Sequence, residues 1–297
     1  MTAAELLENI PSSRDHLSIL RAADANCVTY YVGDDPEQVA HLSNCTLICT
    51  PDLEIDCEDV DLVRVENPQL SFYRLSELFR FDYLDYDGMT LRSGAYIHRD
   101  AVIPSSSTVG PGCIIGACTV GENVRIESNC VIYARTNIDD RSVIEPNSVI
   151  GATGVMWVWD GTEKVFLEQL GGVRIERDCF VGSNVTIVRG NANENTLIGA
   201  DTCMAHGTMI GHGCQIGEKN HFANNVSLGG SVISGENCFF GSGSVVPPGK
   251  RLCAEVILGA GGLLSKNADA PGIYVGVPAK RTSGLKEQMS GIPRWNR

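Results

Sequence analysis

No apolar stretch in this sequence approaches the ~18 residues that a membrane-spanning helix requires. The opening MTAAELLENIPSS has neither a basic segment nor the apolar run of a secretory leader, so a cytoplasmic location is expected. Twelve cysteines are present without a single Cys-x-x-Cys pair, and the nearest two, Cys45 and Cys49, are four positions apart. That spacing suits neither a zinc ribbon nor a disulfide framework, and no metal is expected. Positive charge is also scarce. Lys and Arg total 23 against 36 Asp and Glu, a formal net charge of −13. An acidic surface repels phosphate backbones, which argues against nucleic acid as a partner. No glycine-rich phosphate loop opens the chain, which excludes a fused nucleotidyltransferase.

What the sequence has is a period of six. An aliphatic residue recurs at Ile97, Ile103, Val109 and Ile115, then after one five-residue step at Val120, Ile126, Ile132, Ile138, Ile144 and Ile150. The period returns at Ile175, Val181 and Ile187, and again at Ile198, Met204, Ile210, Ile216, Phe222 and Leu228. Neither a helix nor a simple alternating strand has this period. A short strand followed by a tight turn does, and three such units make one coil of a β-solenoid. Small residues two positions before the aliphatic one, among them Cys113, Cys130, Cys179 and Cys214, fit the cramped turn, which accounts for most of the cysteines.

Two passages break the period: ATGVMWVWDGTEKVFLEQLGG, residues 152–172, and GNANEN, residues 190–195. Loops that leave a rigid scaffold are common places for binding groups. Trp157 is therefore a candidate substrate contact, or else padding at a subunit contact. Residues 1–88 lack the hexad and read as a small α/β domain. ENIPSSRDHLSIL has the pattern of a short helix, CVTYYVG, CTLICT and LVRVEN read as strands, and SFYRLSELF as a second helix. The expected division is residues 1–88, a solenoid over 89–262, and a C-terminal extension over 263–297.

The order of α/β domain, Asn67-Pro68-x-Leu70-x-Phe72 and long hexad region, with VIGATGV, a Trp-bearing loop ending QLGG, then VRIERDCFVGSNVTIVRG and IGHGCQIGEKNHFANNVSLGG, resembles the UDP-3-O-acylglucosamine N-acyltransferases of lipid A synthesis. These belong to the hexapeptide-repeat acyltransferases. The resemblance implies a mainly β fold, a left-handed parallel β-helix with a small N-terminal α/β domain and a short C-terminal tail. It also implies a homotrimer with sites between neighbouring helices, a nucleotide-linked amino sugar as acceptor, and a thioester of acyl carrier protein or coenzyme A as donor, with no tightly bound cofactor.

Within that resemblance His212 matches the catalytic histidine and Gly230 the glycine whose N–H binds the oxyanion. The spacing adds that Gly230 follows His212 by one full coil, about 4.8 Å away on the same face. A histidine with an ordinary pKa of ~6.5 suits a general base near neutral pH, although such a residue can also be a plain solvent-facing turn. His206 and His221 fall on other faces and are weaker candidates. Asn67 and Phe72 match residues that hold the nucleotide base, though Phe72 equally suits the core of its own helix. Arg189 matches an Arg-Gly pair and is a candidate substrate contact, but Val188 replaces the acidic residue expected before it.

Where the family has a second histidine toward the donor arm, this chain has Gly249. The segment Gly276–Arg281, GVPAKR, resembles the end of acetyl-coenzyme A hexapeptide transferases, where the Pro turns the chain and the Lys meets coenzyme phosphates. Gly276, Pro278 and Lys280 are therefore candidate donor contacts. An acetyl-coenzyme A transferase of a deoxyamino sugar is the alternative enzyme. A zinc carbonic anhydrase on the same helix and a non-catalytic scaffold are the readings from other classes.

Overall fold

The computed structural model describes residues 3–55 and 59–284. The chain forms two compact units that are not consecutive in sequence. One comprises Met1–Phe81, Gly154–Gly171 and Asn191–Glu194. The other comprises Asp82–Thr153, Gly172–Gly190 and Asn195–Arg297.

The first unit is built on four parallel strands in sequential order: β1 (His16–Leu17), β2 (Cys27–Tyr30), β3 (Cys45–Cys49) and β4 (Val60–Arg64). One sheet face packs Val28, Ile48 and Val63 against α1 (Ala3–Leu7) and α2 (Pro68–Ser76), with Phe72, Tyr73 and Leu75 fully buried. The other face buries Leu47, Val39 and Leu53. Both passages that break the hexad join this unit: Leu167, Leu170 and Ala192 complete the core around Phe72. The helix expected from ENIPSSRDHLSIL does not form. Pro11 and the serines after it end the helix early, and His16–Leu17 instead pairs as a strand with Cys27 and Val28.

The second unit is a parallel β-helix. Among the described residues its sheets hold ten, nine and seven strands, most of them two residues long. The hexad is its inner surface. One column runs Ile115, Ile132, Ile150, Ile187, Ile210, Leu228 and Val246, each paired in register with the next. Another includes Phe222 and Phe240, whose rings stack at 4.4 Å. The register passes both interruptions without a shift in the inward-facing residue.

The turns have two recurrent features. Asn129, Asn147, Asn184, Asn225 and Asn237 take positive φ near +60°, a conformation asparagine tolerates better than most residues. The small turn residues also act as donors between coils. The thiols of Cys130, Cys179, Cys214 and Cys238 point at carbonyls of Glu145, Gly199, Gly229 and Cys253, 3.2–3.3 Å away. Ser148 does the same to Gly182 at 2.8 Å. Burial pushes the Cys118, Cys179 and Cys238 thiols up to about 12, so these sulfurs are unreactive packing groups.

The solenoid does not stop where the hexad fades. The strand Gly272–Gly276 pairs with Val256–Leu258, and bridges at Leu263 and Ala268 extend the other two sheets, so Leu264, Ala268 and Tyr274 still point inward. Residues 263–284 thus begin as a further coil, and residues 285–297 of the expected extension lie outside the described residues. Antiparallel strands, Met89–Arg92 at one end and Ala279–Ser283 at the other, occupy terminal edges that would otherwise invite pairing with another chain.

Candidate active site

His212 sits in the turn between the strands Met209–Ile210 and Gln215–Ile216. The turn is fixed on both sides. The Gly211 N–H donates to the Leu228 carbonyl at 2.9 Å, the Gly213 N–H to Thr196 Oγ1 at 2.9 Å, and the His212 carbonyl accepts from the Ser231 N–H at 2.7 Å. Met209 pairs with Ser227 and Ile210 with Leu228, so the expected one-coil register between His212 and Gly230 is present. The imidazole lies over Gly230 so closely that a β-carbon there would overlap Nε2 and Cε1. At Gly211 a β-carbon would meet the Gly230 backbone nitrogen at 2.6 Å. Both glycines are therefore required by close approach. Among the described residues the Gly230 N–H makes no hydrogen bond within the chain, which leaves it available to an oxygen beside the imidazole.

The other histidines of this unit have structural partners. His206 is exposed at another corner, and its Nδ1 accepts from the Ser183 N–H at 3.0 Å. His221 stacks on Phe239 at 5.1 Å, and burial lowers its pKa. His98 is held by Asp85 at 3.0 Å and by the Asp100 N–H at 3.1 Å. Among the described residues His206, His212 and His221 form no metal-ligand cluster within the chain.

The first unit contributes a cleft of about 470 Å³ lined by Pro51, Arg64, Val65, Asn67, Leu70 and Ser71, with Arg74 and Asp160 at one wall. Asn67 caps α2, its Oδ1 accepting from the Leu70 N–H at 3.0 Å, with Pro68 at the first helical position. Arg64 is anchored by the carbonyls of Pro51 and Leu53 at 2.9 and 2.7 Å, and Arg74 pairs with Asp160. Phe72 requires a correction. It is fully buried, its ring 4.8 Å from that of Tyr30, and no face is left for a base. Core packing, the other reading of its helical stripe, is what the structure shows. Among the cleft residues the sequence did not single out, Arg64 and Leu70 each lie three positions from the capping residue, a placement that the sequence signals only through the cap.

Trp157 lies on a hairpin, Trp157–Asp160 paired with Glu163–Phe166. It is 38% exposed, meets Trp159 edge-on at 5.0 Å and carries the Lys164 ammonium 4.7 Å from its ring. Arg189, a candidate substrate contact through its match to the Arg-Gly pair, is only 1% exposed in this chain. Its guanidinium stacks 3.2 Å from the Tyr83 ring centre and 5.1 Å from that of Tyr133. Loss of water lowers its pKa. Gly276 and Pro278 lie at the exposed turn between the last two described strands, with Gly276 at φ +98° and the Val277–Pro278 bond cis, and Lys280 follows, exposed, in the strand Ala279–Ser283. Gly249 stands at φ +69° with open space above its α-carbon, and its N–H donates to the Gly230 carbonyl at 2.9 Å.

Comparison with known proteins places this architecture. The bacterial transferase hexapeptide model (six repeats) matches residues 117–152, and the hexapeptide repeat of succinyl-transferase matches 172–190, 194–218 and 231–266. The chain belongs to the hexapeptide-repeat acyltransferases. Within them it is 31% identical to the UDP-3-O-acylglucosamine N-acyltransferase of Coxiella burnetii, over 72% of this chain and 68% of that protein. The enzyme of the same name from Herminiimonas arsenicoxydans is 31% identical over 53% of this chain, a match that spans 46% of that relative's length. Among solved structures, the UDP-N-acetylglucosamine O-acyltransferase of Moraxella catarrhalis superposes with a TM-score of 0.59 at 25% identity, covering 66% of this chain and 75% of that one.

Proposed function

We propose that the protein is an N-acyltransferase that moves an acyl group from a thioester donor onto the amine of a nucleotide-linked amino sugar. The observation that carries this reading is the His212 imidazole held over Gly230 beside an unused backbone N–H. The amine attacks the thioester carbonyl carbon while His212 Nε2 removes the amine proton, with the other ring proton on Nδ1. The carbonyl oxygen becomes an oxyanion that accepts from the Gly230 N–H. Collapse of the intermediate expels the thiolate, which takes the proton back from His212. The products are an amide and a free thiol.

The cleft at Asn67 suits the nucleotide base, with the Asn67 amide supplying hydrogen bonds and Leu70 and Val65 an apolar wall. The names of the curated relatives support N-acylation. Trp157 offers an exposed ring to the sugar or the acyl chain. The donor is a thioester of acyl carrier protein or of coenzyme A. The exposed Lys280 beside the Gly276–Pro278 turn favours coenzyme phosphates, where a point charge suffices. Neighbouring copies in a trimer complete the site.

The test is thiol release by purified protein. UDP- and dTDP-linked amino sugars are offered with 3-hydroxyacyl carrier protein or acetyl-coenzyme A. Turnover with the carrier protein and a 3-O-acylated UDP-glucosamine supports the lipid A reaction. Turnover only with coenzyme A and a deoxyamino sugar selects the alternative enzyme, and no turnover with any pair contradicts the reading.

A further inference from the structure

The first unit brings together a set of groups that acyl transfer does not use. β1 and β2 lie parallel with His16 opposite Cys27. β2 and β3 pair Val28 with Thr46, which sets Cys45 beside Cys27 on the other side. Asp24 precedes β2 by three residues. One atom from each of His16, Asp24 and Cys27 lies within 4.8 Å of the other two. In a tetrahedral zinc site such atoms stand about 3.3–3.8 Å apart, given bonds of 2.0–2.3 Å, so the His16 Nε2–Asp24 pair, 2.7 Å apart, would open by about 0.6 Å around an ion.

We propose that His16, Asp24 and Cys27 bind a zinc ion at the edge of the N-terminal sheet. One nitrogen, one carboxylate oxygen and one thiolate form a donor set suited to this borderline-soft cation, and two anionic ligands balance its charge. Each of two ligands has a supporting group in place. His16 Nε2 faces Asp24 at 2.7 Å, while Nδ1 lies 2.5 Å from Asp15 Oδ1, the carboxylate–histidine arrangement that orients a metal-binding ring. The Cys45 side chain hydrogen-bonds to the Cys27 sulfur. Binding releases the Nε2 proton of the imidazolium and the Cys27 thiol proton to solvent, while the Nδ1 proton stays on the ring and donates to Asp15.

Cys27 is fully buried, while the His16 and Asp24 side chains beside it are 32% and 60% exposed, so the ion would enter from their side and displace them slightly to meet the sulfur. The fourth position falls to water. The ion would fasten β1, a strand of only two residues, to the sheet. The ligands come from two separate short segments with no Cys-x-x-Cys spacing, which is why no sequence motif marks them.

Cobalt is the probe, because a thiolate ligand gives Co²⁺ a charge-transfer band in the near ultraviolet. Titration of the metal-free full-length protein should develop that band with one equivalent, and zinc should abolish it. Cys27→Ala should lose the band, and Asp15→Asn, which alters only an exposed supporting group, should weaken zinc binding about 10–100-fold. Circular dichroism verifies that each protein is folded. A folded wild-type chain that develops no thiolate band, a band that survives in Cys27→Ala, or unchanged affinity in Asp15→Asn would overturn the proposal.

Discussion

The imidazole of His212 occupies the space that a side chain at Gly230 would need. Gly230→Ala should therefore displace the ring rather than leave it in place. A misplacement of about 1 Å costs on the order of 10²-fold in rate, so kcat/KM should fall by at least that much while the melting temperature changes little. An alanine variant with full activity would show that the ring does not work from this position.

Asn67 has two roles that separate by substitution. Asn67→Ala removes the cap of α2 and should cost about 1 kcal/mol in urea denaturation. Asn67→Asp keeps the cap and should retain stability. If the cleft holds the nucleotide through the Asn67 amide, both variants should raise KM for the sugar nucleotide, which steady-state kinetics would reveal.

Phe240 stacks on Phe222 at the centre of the solenoid and is fully buried. Phe240→Ala should destabilise the protein by about 3–5 kcal/mol, because the flanking coils are hydrogen-bonded to each other and cannot collapse into the cavity. Chemical denaturation would measure it, and a cost below about 1 kcal/mol would contradict the tight inner stack.

His221 gives a pH dependence. Burial against Phe239 lowers its folded pKa below the ordinary 6.5. The unfolded chain therefore binds the proton more readily, and stability contributed by the neutral ring is lost as pH falls below about 6.5 toward the folded value. Urea midpoints of wild type should decline more steeply over that interval than those of His221→Gln. Parallel curves would contradict the assignment.

The β-helix was legible because one inward position per six residues is stacked on its neighbours in the next coil, so the fold writes its period into the chain. The His212–Gly230 register followed from counting one coil. The destination of the two interruptions was not legible: Leu167, Leu170 and Ala192 look like loop residues locally and become core only through a distant sheet. Phe72 shows a different limit, since an apolar stripe on a helix looks the same whether it faces a core or a ligand. Arg189 shows a third, because a cation stacked on Tyr83 and Tyr133 has no acidic neighbour in sequence to betray its burial. The last coil was missed where Leu264, Ala268 and Tyr274 depart from six-residue steps.

The most direct measurement is the rate of thiol release by wild type and His212→Ala, with a 3-O-acylated UDP-glucosamine and 3-hydroxyacyl carrier protein. A general base contributes about 10²–10⁴-fold, so the variant should lose at least 10²-fold in kcat while it binds the sugar nucleotide as wild type does. A variant that turns over at the wild-type rate would contradict the account.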